Sequence, residues 1–260
     1  MTTKKIWIVF TDIFQNTILH PQYFTFKATN KGVEAAKRHA SGVLVDVGCG
    51  RMPYRGQIEP LVKKYIAIDS PQTSKLYRGK WKPDYFADAT RLPIMTGSVD
   101  TVLLFQVLEY LENPDAALSE IHRILRKNGK LLISVPFMYP IHDVPYDLAR
   151  YTDAMLTKMM KKNGFTIIEF TSEGTFLEFW GQSLNVFLMK RIKDVLKSKK
   201  NILTLFYLFF LIMLSVLVIV PINLFTYLIG NIGSISPKYP NYFPLDYIIV
   251  LRKSGSNKKV

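Results

Sequence analysis

The chain holds one cysteine, Cys49, among 260 residues. A disulfide framework and a cysteine-rich zinc site are thereby excluded, and no metal is expected. The opening stretch, MTTKKIWIVFTDIF, lacks the apolar core and small-residue cleavage site of a leader, because Asp12 and Gln15 interrupt it. A reducing, cytosolic setting is expected for the main domain. Internal repeats and low-complexity tracts are absent. So is the low hydrophobicity that disorder requires, since 48% of the residues are hydrophobic. Charge is missing from one long stretch: residues 201–237 contain no Asp, Glu, Lys or Arg, in a chain of net charge +14.

The positive charge sits at the flanks. Residues 43–150 carry 14 basic against 12 acidic groups, so the middle of the chain is almost neutral. Residues 190–200, KRIKDVLKSKK, carry six Lys/Arg and one Asp directly before the uncharged run. A charge run is ordinarily a solvated helix face. Here its adjacency to an apolar stretch favours an anionic membrane surface over a nucleic acid.

Apolar runs closed by turn residues predict strands over 43–47, 65–69, 84–88, 100–105, 130–135, 165–170 and 246–251. Helical spacing predicts helices over Lys31–Ala40, 57–64, Asn113–Asn128 and 153–163. Asn113 is placed as N-cap, Pro114 at the first helical position, and Gly129 just past the end. Strands alternating with helices imply an α/β fold: a doubly wound, mostly parallel, seven-stranded sheet, with a hydrophobic helical insert before the last strand. The expected organisation is an N-terminal helical extension (1–40), a core (41–189), a basic collar and hydrophobic insert (190–237), and a last strand with a basic tail (238–260). Ligands in such sheets bind beyond the carboxyl ends of the strands.

The first strand ends in V-D-V-G-C-G-R-M-P-Y-R, Val45–Arg55. A strand, Gly-x-Gly and a helix start form a loop whose backbone passes close to a ligand. The third glycine of a dinucleotide loop and the Lys of a P-loop are both missing. Asp46 would repel phosphate but suits a ligand bearing an ammonium or sulfonium charge.

DVGCG (46–50), AIDS (67–70), ADATRLP (87–93), SVDTVLLFQVLEYLENP (98–114) and EIHRILRKNGKLLISVPF (120–137) together resemble class I S-adenosylmethionine-dependent methyltransferases of the type 11 group. The resemblance covers about residues 41–172. It implies S-adenosylmethionine as cofactor. Gly48 and Gly50 would pack against its amino-acid and ribose portion, Asp46 would hold its amino group, and Asp69 its ribose hydroxyls. Asp88 would lie near the adenine amino group, Ala89 would give a backbone contact, and Gln106 would face the floor of the site. Outside that resemblance, Asp69 and Asp88 read more readily as turn or N-cap residues than as ligand contacts, and Cys49 reads as a small packing residue.

Strand five runs into PFMYPIHDVPYDLARYT (136–152), where three prolines forbid a simple helix. The pattern Pro140-x-His142-x-x-Pro145-x-Asp147-x-x-Arg150-Tyr151, with PYR at 53–55, resembles a subgroup linked to cell-surface glycan and lipid modification. Methyl transfer from a sulfonium depends chiefly on alignment. His142 is the candidate base, Asp147 would orient it or act in its place, and Arg150 would bind an anionic acceptor. The competing structural reading is an Asp147–Arg150 ion pair with His142 capping the loop.

Ile202–Val220 is long enough to span a bilayer, which takes about 17–25 residues. Pro221 is expected to break it, leaving Ile222–Ile232 too short to span. If 246–251 is the last strand, the insert must return to the side it left. A re-entrant hairpin or in-plane helices then fit better than one crossing; a buried helix pair, a dimer interface and a single span are the alternatives. The implied partners are a lipid or lipid-linked glycan and an anionic membrane surface, with no nucleic acid. Two other functions stay open: a nucleic-acid methyltransferase, and a membrane scaffold with an unused cofactor site.

Overall fold

The computed structural model describes residues 13–72, 82–197, 201–229 and 242–254. The expectations for residues 1–12, Ser198–Lys200, the end of the second apolar stretch and the tail beyond Ser254 fall outside these. The chain divides into two compact units, one holding Thr29–Phe137, Ile141–Ser172 and the residues from Asp246 on, the other the residues up to Ala28, Met138–Pro140 and Glu173–Leu245.

The first unit is a seven-stranded sheet. Its strands are β1 (Val43–Val47), β2 (Lys64–Asp69), β3 (Tyr85–Phe86), β4 (Val99–Phe105), β5 (Leu125–Pro136), β6 (Phe165–Glu173) and β7 (Asp246–Lys253), in the order β3-β2-β1-β4-β5-β7-β6. β1 pairs in parallel with β2 and β4, β2 with β3, and β4 with β5, while β7 runs antiparallel to β5. Helix α1 (Tyr23–His39) precedes the sheet, α2 (Arg55–Ile58) follows β1, α3 (Pro114–Ile124) follows β4, and α4 (Asp153–Lys162) precedes β6.

Alternation along each strand sends side chains to two cores. Leu44, Leu103, Leu132, Ile248 and Val250 meet Val33 and Ala36 of α1 on one face. Val45, Val102, Leu104, Ile133 and Ile249 meet Leu118 and Ile121 of α3 and Leu156 and Met160 of α4 on the other. The expected doubly wound sheet is therefore present, with one strand reversed.

Four elements differ from expectation, the first being the helix expected over Lys31–Ala40, which begins at Tyr23. α3 is capped by Asn113, whose side chain accepts from Ala116 N–H at 3.0 Å, but it stops at Ile124 rather than Asn128. Leu125 leaves helical geometry because it pairs with Val99, and Asn128 then turns the chain at φ +63° into the rest of β5. The 57–64 helix is reduced to α2 and a 3₁₀ turn at Glu59–Leu61. Pro221 does not end the apolar helix.

That helix, α6 (Ile202–Ile229), lies in the second unit with α5 (Phe176–Lys197). A Cβ on Gly181 of α5 would stand 3.0 Å from the Thr226 hydroxyl of α6, so the two helices approach closely there. Asn185 Nδ2 donates to Asn223 Oδ1 at 2.6 Å, and Asn223 Nδ2 donates to the carbonyls of Ile18 and His20. Leu245 N–H donates to the Glu173 carbonyl at 2.7 Å, so the excursion between β6 and β7 closes where it began.

Candidate cofactor and acceptor site

All ten residues singled out from the sequence lie in the sheet unit, at or beyond the carboxyl ends of its parallel strands. The loop after β1 is folded back on β2. Gly48 N–H and Cys49 N–H both donate to the Ile68 carbonyl, at 2.8 and 3.1 Å. Gly48 has φ +73°, and a Cβ there would stand 2.3 Å from Val107 Cγ2, so glycine alone fits. Gly50 has φ +53° and open space where its Cβ would be. The loop is thus closed against the protein at its first glycine and open at its second.

Two carboxylates frame that opening. Asp69, at the end of β2, accepts from Gly50 N–H at 3.1 Å and from Ser70 N–H at 2.7 Å. Asp46 Oδ2 accepts a short hydrogen bond from the Tyr65 hydroxyl. Among the described residues no group bonds Oδ1 of Asp46. Burial pushes the Asp46 carboxyl up to about 6; the Tyr65 hydroxyl opposes this and the Asp69 charge adds to it. Arg55 lies over the Tyr65 ring, 5.3 Å from its centroid, and pairs with Glu59. Burial also raises the Tyr54 phenol, with the charges of Asp246 and Asp46 acting the same way.

Asp88 is exposed, and its Oδ1 accepts from both the backbone N–H and the hydroxyl of Thr90. This is the turn geometry its residue type favours. It follows Ala87, whose N–H donates to the Asp69 carbonyl at 2.9 Å, while Ala89 packs on the core. Gln106 directly follows β4 at φ +56°, and its Nε2 donates to Ser134 Oγ at 2.6 Å and to Asp246 Oδ2 at 2.8 Å.

The structure brings His142, Asp147 and Arg150 together. Arg150 clasps Asp147 through two nitrogens, at 2.5 and 2.9 Å. The same carboxylate accepts from His142 backbone N–H at 2.9 Å and lies 3.0 Å from His142 Nδ1. Burial alone would raise the Asp147 carboxyl, but the Arg150 and His142 hydrogen bonds outweigh it and hold it down at about 2. His142 Nε2 is 2.7 Å from the Tyr110 hydroxyl. With the Nδ1 proton assigned toward Asp147, Nε2 accepts from Tyr110. The ion-pair reading of Asp147 and Arg150 is present in full, with His142 as its third member. Leu148 N–H and Ala149 N–H donate to the Glu109 carbonyl, fastening this loop to the 3₁₀ turn Leu108–Tyr110 that follows β4.

Glu109, Tyr110, Ser134 and Asp246 were not singled out in the sequence. Burial pushes the Glu109 carboxyl up to about 8, and among the described residues its Oε2 has no hydrogen-bond partner. The signal for Ser134 and Asp246 was a polar residue at the apolar end of its strand, Ser134 within LLISV and Asp246 directly before YIIVL. Glu109 and Tyr110 were polar residues in the short turn that follows a fully buried strand.

S-adenosylmethionine carries an ammonium, a sulfonium and a ribose diol, and the chain meets these with carboxylates around a loop open at Gly50. The negative charge of the Asp46 and Asp69 carboxylates beside the open glycine suits a cationic ligand with hydroxyl donors, so the residues present fit the group.

Comparison with known proteins agrees. Residues 45–133 match a methyltransferase domain family, that of type 11. A protein of Mycolicibacterium smegmatis described as a "probable S-adenosylmethionine-dependent methyltransferase" is 27% identical over 141 residues, covering 51% of this chain and 55% of that one. One of Mycobacterium tuberculosis with the same description is 30% identical over 104 residues, covering 39% and 38%. The chain thus spans about half or less of these relatives' lengths. Among solved structures, a Thermotoga maritima protein described as a "SAM-dependent methyltransferase, possible histamine N-methyltransferase" superposes with TM-score 0.53 at 16% identity, covering 90% and 91% of the two chains, which shows the fold. Over residues 45–133 this chain is a methyltransferase domain of the type 11 group, belonging to the class I S-adenosylmethionine-dependent methyltransferases.

Proposed function

We propose that the protein transfers a methyl group from S-adenosylmethionine to an oxygen of a lipid or lipid-linked glycan at an anionic membrane surface. The observation that carries the reading is the loop open at Gly50 between the buried carboxylates of Asp46 and Asp69. The bound cofactor supplies an already activated methyl, so the chain's task is to align the acceptor and take its proton. Tyr110 and His142 form a route for that proton, Asp147 fixes the imidazole, and Arg150 fixes Asp147. Since Arg150 already donates to Asp147 and to the Ala149 carbonyl, holding the loop is its better-supported role.

The membrane part of the proposal rests on the other unit. α6 has no charged residue and leaves Leu203, Phe206, Phe209, Phe210, Leu217 and Leu228 more than half exposed. Lys190, Arg191, Lys193 and Lys197 crowd the end of α5 just before it. Because Leu245 returns to Glu173, a crossing by α6 would need a second crossing within residues 230–244. That is short of the roughly 20 residues a spanning helix takes. A helix lying in the interface or re-entering it satisfies both facts.

The test is transfer of methyl label from the cofactor into a cellular lipid extract by the full chain. Label in the organic phase that disappears with Asp69→Ala supports the proposal. Label in RNA alone, or in nothing, contradicts it.

A further inference from the structure

Two buried polar groups at the carboxyl edge of the sheet, Ser134 and Asp246, determine which way the Gln106 amide faces. Ser134 has one hydroxyl proton and donates it to Asp246 Oδ2 at 2.9 Å. Toward Gln106, 2.6 Å away, Ser134 Oγ can therefore only accept. The Gln106 atom facing Ser134 must be its nitrogen. That nitrogen's second proton goes to Asp246 Oδ2 at 2.8 Å. Both amide protons are used, and among the described residues no group bonds the amide oxygen. Gln106 itself is held at φ +56°, directly before Val107, whose methyls fill the space beside Gly48. Ser134 is fully buried and Asp246 almost so, which shields the arrangement from exchange with water.

We propose that Ser134 and Asp246 are positioning residues that turn the carbonyl oxygen of Gln106, and not its NH₂, toward the positively charged sulfur of the cofactor. An amide oxygen carries partial negative charge and favours a sulfonium, whereas an amide NH₂ in the same place opposes it. The demethylated product is a neutral sulfide and gains nothing from the oxygen. The network therefore makes the site prefer the charged methyl donor over its own product. Asp246 begins the strand that follows the insert, so its part in the site is invisible to any reading confined to the first five strands.

The inference rests on the methyltransferase reading, and calorimetry on the full chain separates the two. S-adenosylmethionine and S-adenosylhomocysteine are titrated into the unmodified protein, Asp246→Asn and Ser134→Ala. Asn has nearly the shape of Asp but can donate, so the amide of Gln106 is no longer held one way. The expected result is that the unmodified protein binds the charged donor several-fold more tightly than the sulfide. Asp246→Asn should lower that ratio at least threefold, and Ser134→Ala should lower it less. Equal weakening of both ligands, or an unchanged ratio, overturns the inference, since a purely structural role moves both together. Failure of the unmodified protein to bind either ligand overturns the methyltransferase reading instead.

Discussion

Asp46, next to the last residue of β1, has one oxygen on the Tyr65 hydroxyl, in a place where burial favours the protonated acid up to about pH 6. A cationic ligand favours the ionised form, so binding must expel that proton below pH 6. Cofactor affinity is expected to rise as pH increases from 5 to 7, by up to about tenfold per unit below 6, and to level off above it. Calorimetry across that range checks this, and Asp46→Asn should flatten the profile. Glu109 shows the same physics without a ligand. The folded chain keeps its proton to about pH 8, while the ordinary value is 4.5. Folding then loses stability as pH rises between those values, because the unfolded chain has already released the proton. Glu109→Gln, which stays neutral, should shrink the fall in stability between pH 5 and 8, read from urea unfolding. Asp147 acts in the opposite sense. Its carboxylate lies well below the ordinary 3.8, so its contribution is full above pH 4 and is lost toward pH 2. The sequence shows each acid but not its partners: Tyr65 stands 19 positions from Asp46, and Asp246 stands 140 from Gln106.

Among the elements, the glycine loop separates folding from binding. Gly48→Ala combines positive φ with a collision against Val107 and is expected to cost about 2–4 kcal/mol. Gly50→Ala meets only backbone strain, about 1–2 kcal/mol, but places a methyl in the opening proposed for the cofactor. Thermal melts should rank Gly48→Ala as the less stable protein, with Gly50→Ala folded yet impaired in cofactor binding. Strand positions were legible because apolar period and burial coincide in a sheet covered on both faces. Helix ends were not. Asn128 and Gly129 look like a helix stop, yet the Leu125–Val99 pairing ended α3 earlier and turned those residues into a bend within β5. Pro221 looks like a break, since it removes one hydrogen bond. α6 nonetheless runs on, and just beyond the proline Ile222, Asn223 and Thr226 pack on α5 or bond to the N-terminal segment. Tertiary contacts outweighed the local signal at both places.

For the molecule as a whole, the excess of positive charge and the uncharged run have one account. Residues 43–150, which carry the cofactor loop, are almost neutral, while residues 190–200 at the end of α5 hold six Lys/Arg against one Asp directly before the uncharged run of α6. The full chain is expected to sediment with vesicles containing phosphatidylserine and less with purely zwitterionic ones, and the difference should shrink with salt. Replacing Lys190, Arg191, Lys193 and Lys197 by Gln should weaken binding to anionic vesicles only. Binding that ignores both lipid charge and these substitutions would count against the surface proposal while leaving the sheet unit's chemistry untouched.

That chemistry has a direct measurement: calorimetric titration of S-adenosylmethionine into the unmodified chain and into Asp69→Ala. The account predicts saturable binding at one site per chain, weakened at least tenfold, about 1.4 kcal/mol, when Asp69 no longer holds Gly50 N–H and the ribose hydroxyls. No binding by the unmodified chain, or equal binding by Asp69→Ala, would contradict it.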